Sequence, residues 1–251
     1  MREALRIGPT MGYLHSVETG AAVDGPGMRF VYFMSGCPFR CVYCHNPDTW
    51  RFVSGRPVTI AEAVQEIRPY ASFLRRAGGV TISGGDPLTQ HAFVGELLAV
   101  LKNELGLHTA LDTQGFLGHK VKDEWFDPVD LVLLDIKHAD EKAHKAITGR
   151  ALKPTLDFAQ RMLHLRRTMW LRYVLVPGLT DAQADIERMA DLLASLAEVV
   201  ERVEVLPYHS MGEHKWNELG KNYPLHGTPG PSPESLRAAN DAFRARGLPV
   251  V

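Results

Sequence analysis

The chain has 251 residues, 45% of them hydrophobic and 23% charged, with a formal net charge of −1. That balance belongs to a globular protein with a sizeable core, and the near-neutral charge argues against non-specific binding to nucleic acid. No apolar run approaches the roughly 20 residues of a membrane span. The N-terminus, Met1-Arg2-Glu3-Ala4-Leu5-Arg6, lacks the apolar stretch of a secretory signal, so a cytoplasmic protein is expected.

Apolar runs of strand length alternate along the chain with segments of helical period. Arg29–Ser35 predicts a strand that enters a cysteine-bearing loop. Thr59–Arg76 predicts a helix opened by a Thr59-x-x-Glu62 capping box and broken at Pro69. Gly79–Ser83 is the second strand, and Leu88–Leu105 has helical spacing of Phe93, Leu97, Leu98, Leu101 and Leu105. His108–Asp112 and Leu131–Ile136 are short apolar runs that reach an acid. Thr155–Arg167 predicts a helix, and Trp170–Val176 a fifth strand ended by Pro177-Gly178. Thr180-x-x-Gln183 has the form of a second capping box before Ile186, Met189, Leu192, Leu193 and Leu196. Arg202–Leu206 is a sixth strand. A helix from Pro233, capped by Ser232, precedes a terminal Leu248–Val251 strand. Asn46–Pro57 and Tyr223–Pro233 are expected to be loops. Such β–α alternation implies a parallel sheet with helices outside it, in a single domain over 1–251.

All three cysteines fall within eight residues, as Cys37-Pro38-Phe39-Arg40-Cys41-Val42-Tyr43-Cys44. The spacing C-x3-C-x2-C supplies three thiolates, one fewer than a closed four-coordinate metal site needs. On a four-iron cluster the iron left without a cysteine can bind a substrate or cofactor directly. The odd count and the chain length disfavour a disulfide framework. A structural zinc with His45 as fourth ligand is the alternative, although Cys44 and His45 are adjacent and converge awkwardly.

Other chemistry collects at the C-terminal ends of the predicted strands, which in a parallel barrel share one face. These ends carry Ser83-Gly84-Gly85-Asp86, Asp112-Thr113, Asp135 with Lys137, and Tyr208-His209. Each has a plainer reading. The glycine pair could be a turn, the aspartates could be helix caps, Lys137 a surface lysine and His209 a satisfied histidine. Arg172, inside the fifth strand, needs a partner if it points into a barrel.

The cysteine spacing resembles the cluster motif of the radical S-adenosylmethionine (SAM) superfamily. The chain as a whole resembles the pyruvate formate-lyase activating enzymes within it. The matching stretches are Val23-Asp24-Gly25-Pro26-Gly27-Met28-Arg29-Phe30, Cys41 through Trp50, Ser83-Gly84-Gly85-Asp86, Leu111 through Phe116, Leu134-Asp135-Ile136-Lys137, Arg172 through Gly178, and Leu206-Pro207-Tyr208-His209 with His214-Lys215-Trp216. They run in the family's order from about residue 13, leaving 1–12 as an unassigned extension.

This resemblance implies an α/β fold, a partial (β/α)6 TIM-like radical SAM barrel. It implies a [4Fe–4S] cluster on Cys37, Cys41 and Cys44, with SAM on the fourth iron. The implied SAM residues are Tyr43, Cys44, His45, Gly84, Gly85, Asp86, Asp135, Ile136, Lys137 and His209. Asp112, Thr113 and Asp135 resemble a monovalent-cation site, and Asp24 matches a residue near the bound substrate loop. Asp86 stands where the family usually has Glu. The implied activity is reductive SAM cleavage to a 5′-deoxyadenosyl radical that takes the α-hydrogen of a glycine in pyruvate formate-lyase. Flavodoxin or ferredoxin is the implied reductant, and a monomer is expected. Activating enzymes with extra clusters need more cysteines than three, and the anaerobic ribonucleotide reductase activase is shorter. A small-molecule radical SAM enzyme, such as a deazaguanine synthase, and a non-enzymatic zinc or redox module are the competing readings.

Overall fold

Six of the apolar runs become parallel strands in the computed structural model, which describes residues 10–251. The strands are β1 (Met11–Ala21), β2 (Met28–Met34), β3 (Arg56–Thr59), β4 (Gly78–Gly84), β5 (Thr109–Thr113), β6 (Leu131–Asp135), β7 (Met169–Leu175) and β8 (Val200–Pro207). They form one eight-stranded sheet in the order β3-β1-β2-β4-β5-β6-β7-β8. From β2 to β8 every neighbouring pair is parallel, whereas β1 runs antiparallel to both β2 and β3. The result is a partial (β/α)6 barrel whose sheet does not close.

The two strands outside the predicted set cover the free side of β2. In β1, residues Ser16 to Gly20 are exposed, so no apolar run marks it. Pairing with β2 and β3 satisfies its backbone instead. Met11 and Gly12 pair with Thr59 and Val58. The expected extension over 1–12 is thus corrected at its inner end, and residues 1–9 lie outside the described residues. Arg56 and Pro57, expected in a loop, open β3.

Helices follow the strands as the patterns require. The Thr59 box caps α1 (Ile60–Ile67) reciprocally with Glu62. Pro69 then divides the expected long helix: a single tight turn over Arg68–Tyr70 leads to α2 (Ala71–Ala77). Next come α3 (His91–Asn103), α4 (Glu141–Thr148), α5 (Lys153–His164), α6 (Gln183–Ala194), α7 (Glu213–Glu218) and α8 (Pro233–Arg244). Ser232 caps α8 through Ser235 N at 3.1 Å. The second capping box does not form. Thr180 Oγ1 accepts from Val176 N and donates to Val174 O, both at 2.7 Å, which closes the turn after β7. Helix α6 therefore starts behind Ala182 with no side-chain cap. The expected terminal strand is reduced to one parallel bridge between Val203 and Val250.

Buried side chains such as Leu97, Leu134, Met189 and Phe243 fill one continuous core between sheet and helices. Each such side chain contributes about 2 kcal/mol by leaving water. A second cluster, Tyr43, Ile147, Val176, Tyr208, Trp216 and Tyr223, packs around the cysteine loop.

Candidate active site

The cysteine loop leaves β2 through Gly36, whose φ of 92° lies in the region that favours glycine. Neighbouring segments hold its backbone. Gly36 N donates to Thr49 O at 2.7 Å, Cys37 N to Trp50 O at 3.3 Å, Arg40 N to Thr148 O at 2.8 Å and Val42 N to Ile147 O at 3.0 Å. Trp216 Nε1 donates to Cys44 O at 2.8 Å. The loop is thereby clamped between the Thr49–Val53 segment, the end of α4 and α7.

The glycine turn after β4 closes on this loop. A Cβ on Gly84 would lie 2.2 Å from Met34 N, and one on Gly85 would lie 2.3 Å from Gly36 O. Gly85 N donates to Met34 O and Asp86 N to Gly36 O, each at 2.8 Å. The paired glycines therefore allow two backbones to touch, and they bring both turns to the same cavity.

That cavity, about 260 Å³, opens at the C-terminal ends of the strands. It is lined by Cys37, Cys41 and Cys44 together with Tyr43, His45, Gly84, Gly85, Asp112, Thr113, Asp135, Lys137, Arg172 and Asp24. Burial holds all three thiols protonated in the unliganded protein, pushing Cys41 up to about 12. Gln114 Nε2 donates to Cys37 Sγ at 3.1 Å. Asp24 reaches the cavity on the loop between β1 and β2. Buried Arg29 fixes that loop by donating to Pro26 O at 3.3 Å and to Thr81 Oγ1 at 2.6 Å, and Thr81 Oγ1 donates in turn to Asp24 O at 2.6 Å. Burial raises the Asp24 carboxyl above its usual range, against the pull of Arg172.

Three largely buried ion pairs gather at the cavity. Lys137 Nζ lies 3.0 Å from Asp135 Oδ1. Burial disfavours the lysine's charge, but Asp135 beside it outweighs this and holds Lys137 above the usual range. Arg172 Nε donates to Glu204 Oε2 at 3.0 Å, and Arg172 Nη1 lies 3.5 Å from Asp112 Oδ2. Ser83 Oγ also donates to Asp112 Oδ2, at 2.7 Å, while Asp112 Oδ1 is buried without a partner. Burial raises the Asp112 carboxyl despite the arginine.

Three expected SAM residues lie elsewhere than in the cavity lining. Asp86 is fully buried and caps the turn that starts α3: its Oδ1 accepts from Leu88 N at 2.9 Å and from Thr113 Oγ1 at 3.0 Å. Burial pushes its carboxyl up to about 7. The turn uses Oδ1 alone; Oδ2 is buried without a partner among the described residues, outside the cavity lining. Ile136 is buried in the main core. His209 stacks on His45 with ring centroids 4.2 Å apart, and its carbonyl accepts from His45 Nε2 at 2.8 Å. His209 thus orients the histidine that does face the cavity. The Thr113 hydroxyl donates to Asp86 Oδ1 and accepts from Gly115 N at 3.0 Å, while the residue itself lines the cavity beside Asp112. Gln114 and Trp216 are site residues for which no role was predicted; their position beside strand-end acids and in a Lys-Trp pair was the available signal.

The donor set suits a cluster better than a single ion. Among the described residues no group of three His, Cys, Asp or Glu side chains converges on one ion. His45, the fourth ligand that zinc requires, is bonded to His209. Three thiols around one cavity, one of them accepting an N–H bond at sulfur, fit a larger iron–sulfur group.

A family model described as the Radical SAM superfamily matches residues 31–193. Pyruvate formate-lyase-activating enzymes from Staphylococcus aureus strains USA300 and NCTC 8325 are each 44% identical over 248 residues, covering 95% of this chain and 98% of theirs. The chain belongs to the pyruvate formate-lyase-activating enzyme family of the radical SAM superfamily. Solved structures agree on the fold. A domain of pyruvate-formate lyase-activating enzyme from Bacteroides vulgatus superposes with a TM-score of 0.57 at 24% identity, over 70% of this chain and 98% of that one. SuiB from Streptococcus suis, bound to S-adenosylmethionine, gives 0.67 at 14% identity, over 91% of this chain and 50% of that one. Radical SAM enzymes use a [4Fe–4S] cluster and SAM, so this pyruvate formate-lyase-activating enzyme relative takes both. Among the described residues no helix is long and apolar enough to cross a membrane.

Proposed function

We propose that this chain installs a glycyl radical on pyruvate formate-lyase, using SAM and one electron. The observation that carries the reading is the convergence of all three cysteines, the glycine turn and the Lys137–Asp135 pair on one cavity, in a chain with full-length likeness to activating enzymes. When bound, the cluster and SAM supply a hydrogen-abstracting radical. Cys37, Cys41 and Cys44 hold the cluster. Gly84 and Gly85 present backbone, Tyr43 and His45 give aromatic walls, and Lys137 and Asp135 offer opposite charges to the SAM amino acid moiety. Asp112, Thr113 and Asp135 can take a monovalent cation beside it. Asp24 meets the incoming glycine loop from the rim. The barrel's work is placement and exclusion of water, because hydrogen-atom transfer depends on alignment rather than on an acid or base.

A reduced flavodoxin or ferredoxin is the proposed electron source. A monomer is proposed, and a single domain because one sheet runs through the described residues. A reducing cytoplasm suits three unpaired cysteines. The test is anaerobic reconstitution with iron and sulfide, reduction, and addition of SAM with pyruvate formate-lyase. A glycyl-radical doublet in electron paramagnetic resonance, with 5′-deoxyadenosine formed, is the expected result. Deoxyadenosine without a glycyl radical would reassign the substrate.

A further inference from the structure

The outer side of the cysteine loop carries positive charge that no carboxylate among the described residues neutralises. Arg40 Nη1 donates to Cys37 O at 2.7 Å, and its guanidinium lies 5.0 Å from the centroid of the Trp50 ring. Arg150 Nε donates to Pro38 O at 2.8 Å. Arg51 follows Trp50 and is exposed. Among the described residues none of these three arginines pairs with a carboxylate. Asp48, the acid nearest Arg40 and Arg51 in the chain, pairs through Oδ2 with His15 at 2.9 Å and Lys215 at 3.4 Å, and Asp157, the acid nearest Arg150, pairs with Lys153. A local charge of three is conspicuous in a protein whose net charge is −1.

Apolar surface adjoins this charge. Phe52 is 44% and Val53 61% exposed. Both belong to the segment that accepts Gly36 N and Cys37 N through Thr49 O and Trp50 O. Phe52 is also seated by an edge contact with Tyr13 at 5.3 Å. The patch is therefore one backbone hydrogen bond away from a cluster cysteine. An apolar centre with a rim of one sign is the pattern of a transient docking site steered by charge.

The reaction sets the requirement that such a site meets. One electron must enter from outside, since breaking the sulfonium carbon–sulfur bond of SAM to methionine and a carbon radical consumes one. That radical then takes the glycine hydrogen, and the donor leaves oxidised by one electron. Transfer rate falls steeply with distance, so the donor must dock where the cluster loop meets the surface.

We infer that Arg40, Arg51 and Arg150, with Phe52 and Val53, form the docking face for an acidic one-electron carrier protein. This rests on the radical SAM reading above and names the partner of its cluster. Arg51 makes no side-chain bond to the loop, so Arg51→Glu is the cleanest variant. Arg237→Glu, at an exposed position of α8, is the charge control.

SAM cleavage is measured in the reconstituted enzyme with two reductants, dithionite and photoreduced flavodoxin. The expected result is a fall of about tenfold in the flavodoxin-driven rate at low salt for Arg51→Glu, from loss of steered encounter. Dithionite-driven cleavage and the Arg237→Glu control stay at the wild-type rate. Salt should also lower the wild-type flavodoxin rate as screening sets in. An unchanged flavodoxin rate in Arg51→Glu/Arg150→Glu overturns the docking face while leaving the radical SAM reading intact. Absence of dithionite-driven cleavage in the wild-type enzyme overturns that reading and the docking face with it. If the double variant loses cleavage with both reductants, calorimetric binding of flavodoxin to Arg51→Glu decides: wild-type affinity overturns the proposal and weakened affinity supports it.

Discussion

Gln114 offers a direct handle on the cluster's redox behaviour. Its Nε2 donates to Cys37 Sγ at 3.1 Å, and the residue is 6% exposed, so water does not replace the bond when it is lost. Its backbone is anchored independently, because Thr155 Oγ1 donates to Gln114 O at 2.8 Å. Gln114→Leu therefore deletes the sulfur bond and leaves the turn in place. A hydrogen bond to a charged acceptor is worth about 1.5–3 kcal/mol, and it strengthens as the sulfur gains electron density in the reduced state. With about 1 kcal/mol of that favouring the reduced cluster, the one-electron scale of 59 mV per tenfold gives a fall of about 40 mV in midpoint potential. At a fixed donor potential the ratio of reduced to oxidised cluster then falls about fivefold. The assay is a redox titration of the cluster followed by electron paramagnetic resonance. A midpoint within about 10 mV of wild type, or a shift upward, refutes the assignment of Gln114 as a tuning donor.

Cys41→Ala is expected to lose iron, cluster absorbance and SAM cleavage together while keeping its circular dichroism; retained cleavage would contradict the ligand assignment. Asp86→Asn should stabilise the reduced apoprotein increasingly as pH rises. Burial makes the Asp86 carboxyl titrate at about 7 in the folded protein, against an ordinary aspartate value of 3.8. Ionising it therefore costs the native state stability progressively between those pH values and fully above them. The gain above pH 7 is up to about 4 kcal/mol, since a tenfold change in proton affinity is worth about 1.36 kcal/mol, and denaturant titrations from pH 4 to 8 measure it. A constant difference across that range would contradict a buried, ionisable Asp86. Arg29→Met should cost about 3 kcal/mol, since it strands the carbonyls of Val80 and Pro26 and releases the Asp24 loop. Chemical denaturation checks the stability, and a raised requirement for pyruvate formate-lyase checks the loop.

Most of the parallel strands were legible because they are buried on both faces and read as near-continuous apolar runs, as Leu131–Asp135 does, whereas the half-exposed β8 reads through the alternation of Val200, Val203 and Val205 with charged residues. The cysteine loop was legible because ligand chemistry demands a spacing that chance rarely supplies. Strand β1 was not legible, since its side chains from Ser16 to Gly20 face water and only pairing defines it. Local signals misled where tertiary contacts claimed the same atom. The Thr180 hydroxyl had a helix to cap and a turn to close, and the turn won. Asp86 turns its Oδ1 to Leu88 N and the Thr113 hydroxyl, contacts that a strand-end motif does not announce. A resemblance assigns positions to a site; only packing decides which atom of each position faces it.

The acids around the cavity have a common rationale that their separate contacts do not supply. Burying a charged pair costs more than its attraction returns unless other groups complete it. Here Asp24, Asp112 and Asp135 face the cavity against Lys137 and Arg172, and Asp112 Oδ1 lacks any partner. A purely structural network would have closed on itself. This one directs an excess of carboxylate, and three thiols held protonated by burial, toward a single volume. The sulfonium and ammonium groups of SAM are cationic and give such a lining the opposite charge it lacks. The cost of the buried acids is thus borne by the unliganded protein and relieved on loading, so the same residues that weaken the bare fold give the cavity its preference for a positively charged cofactor.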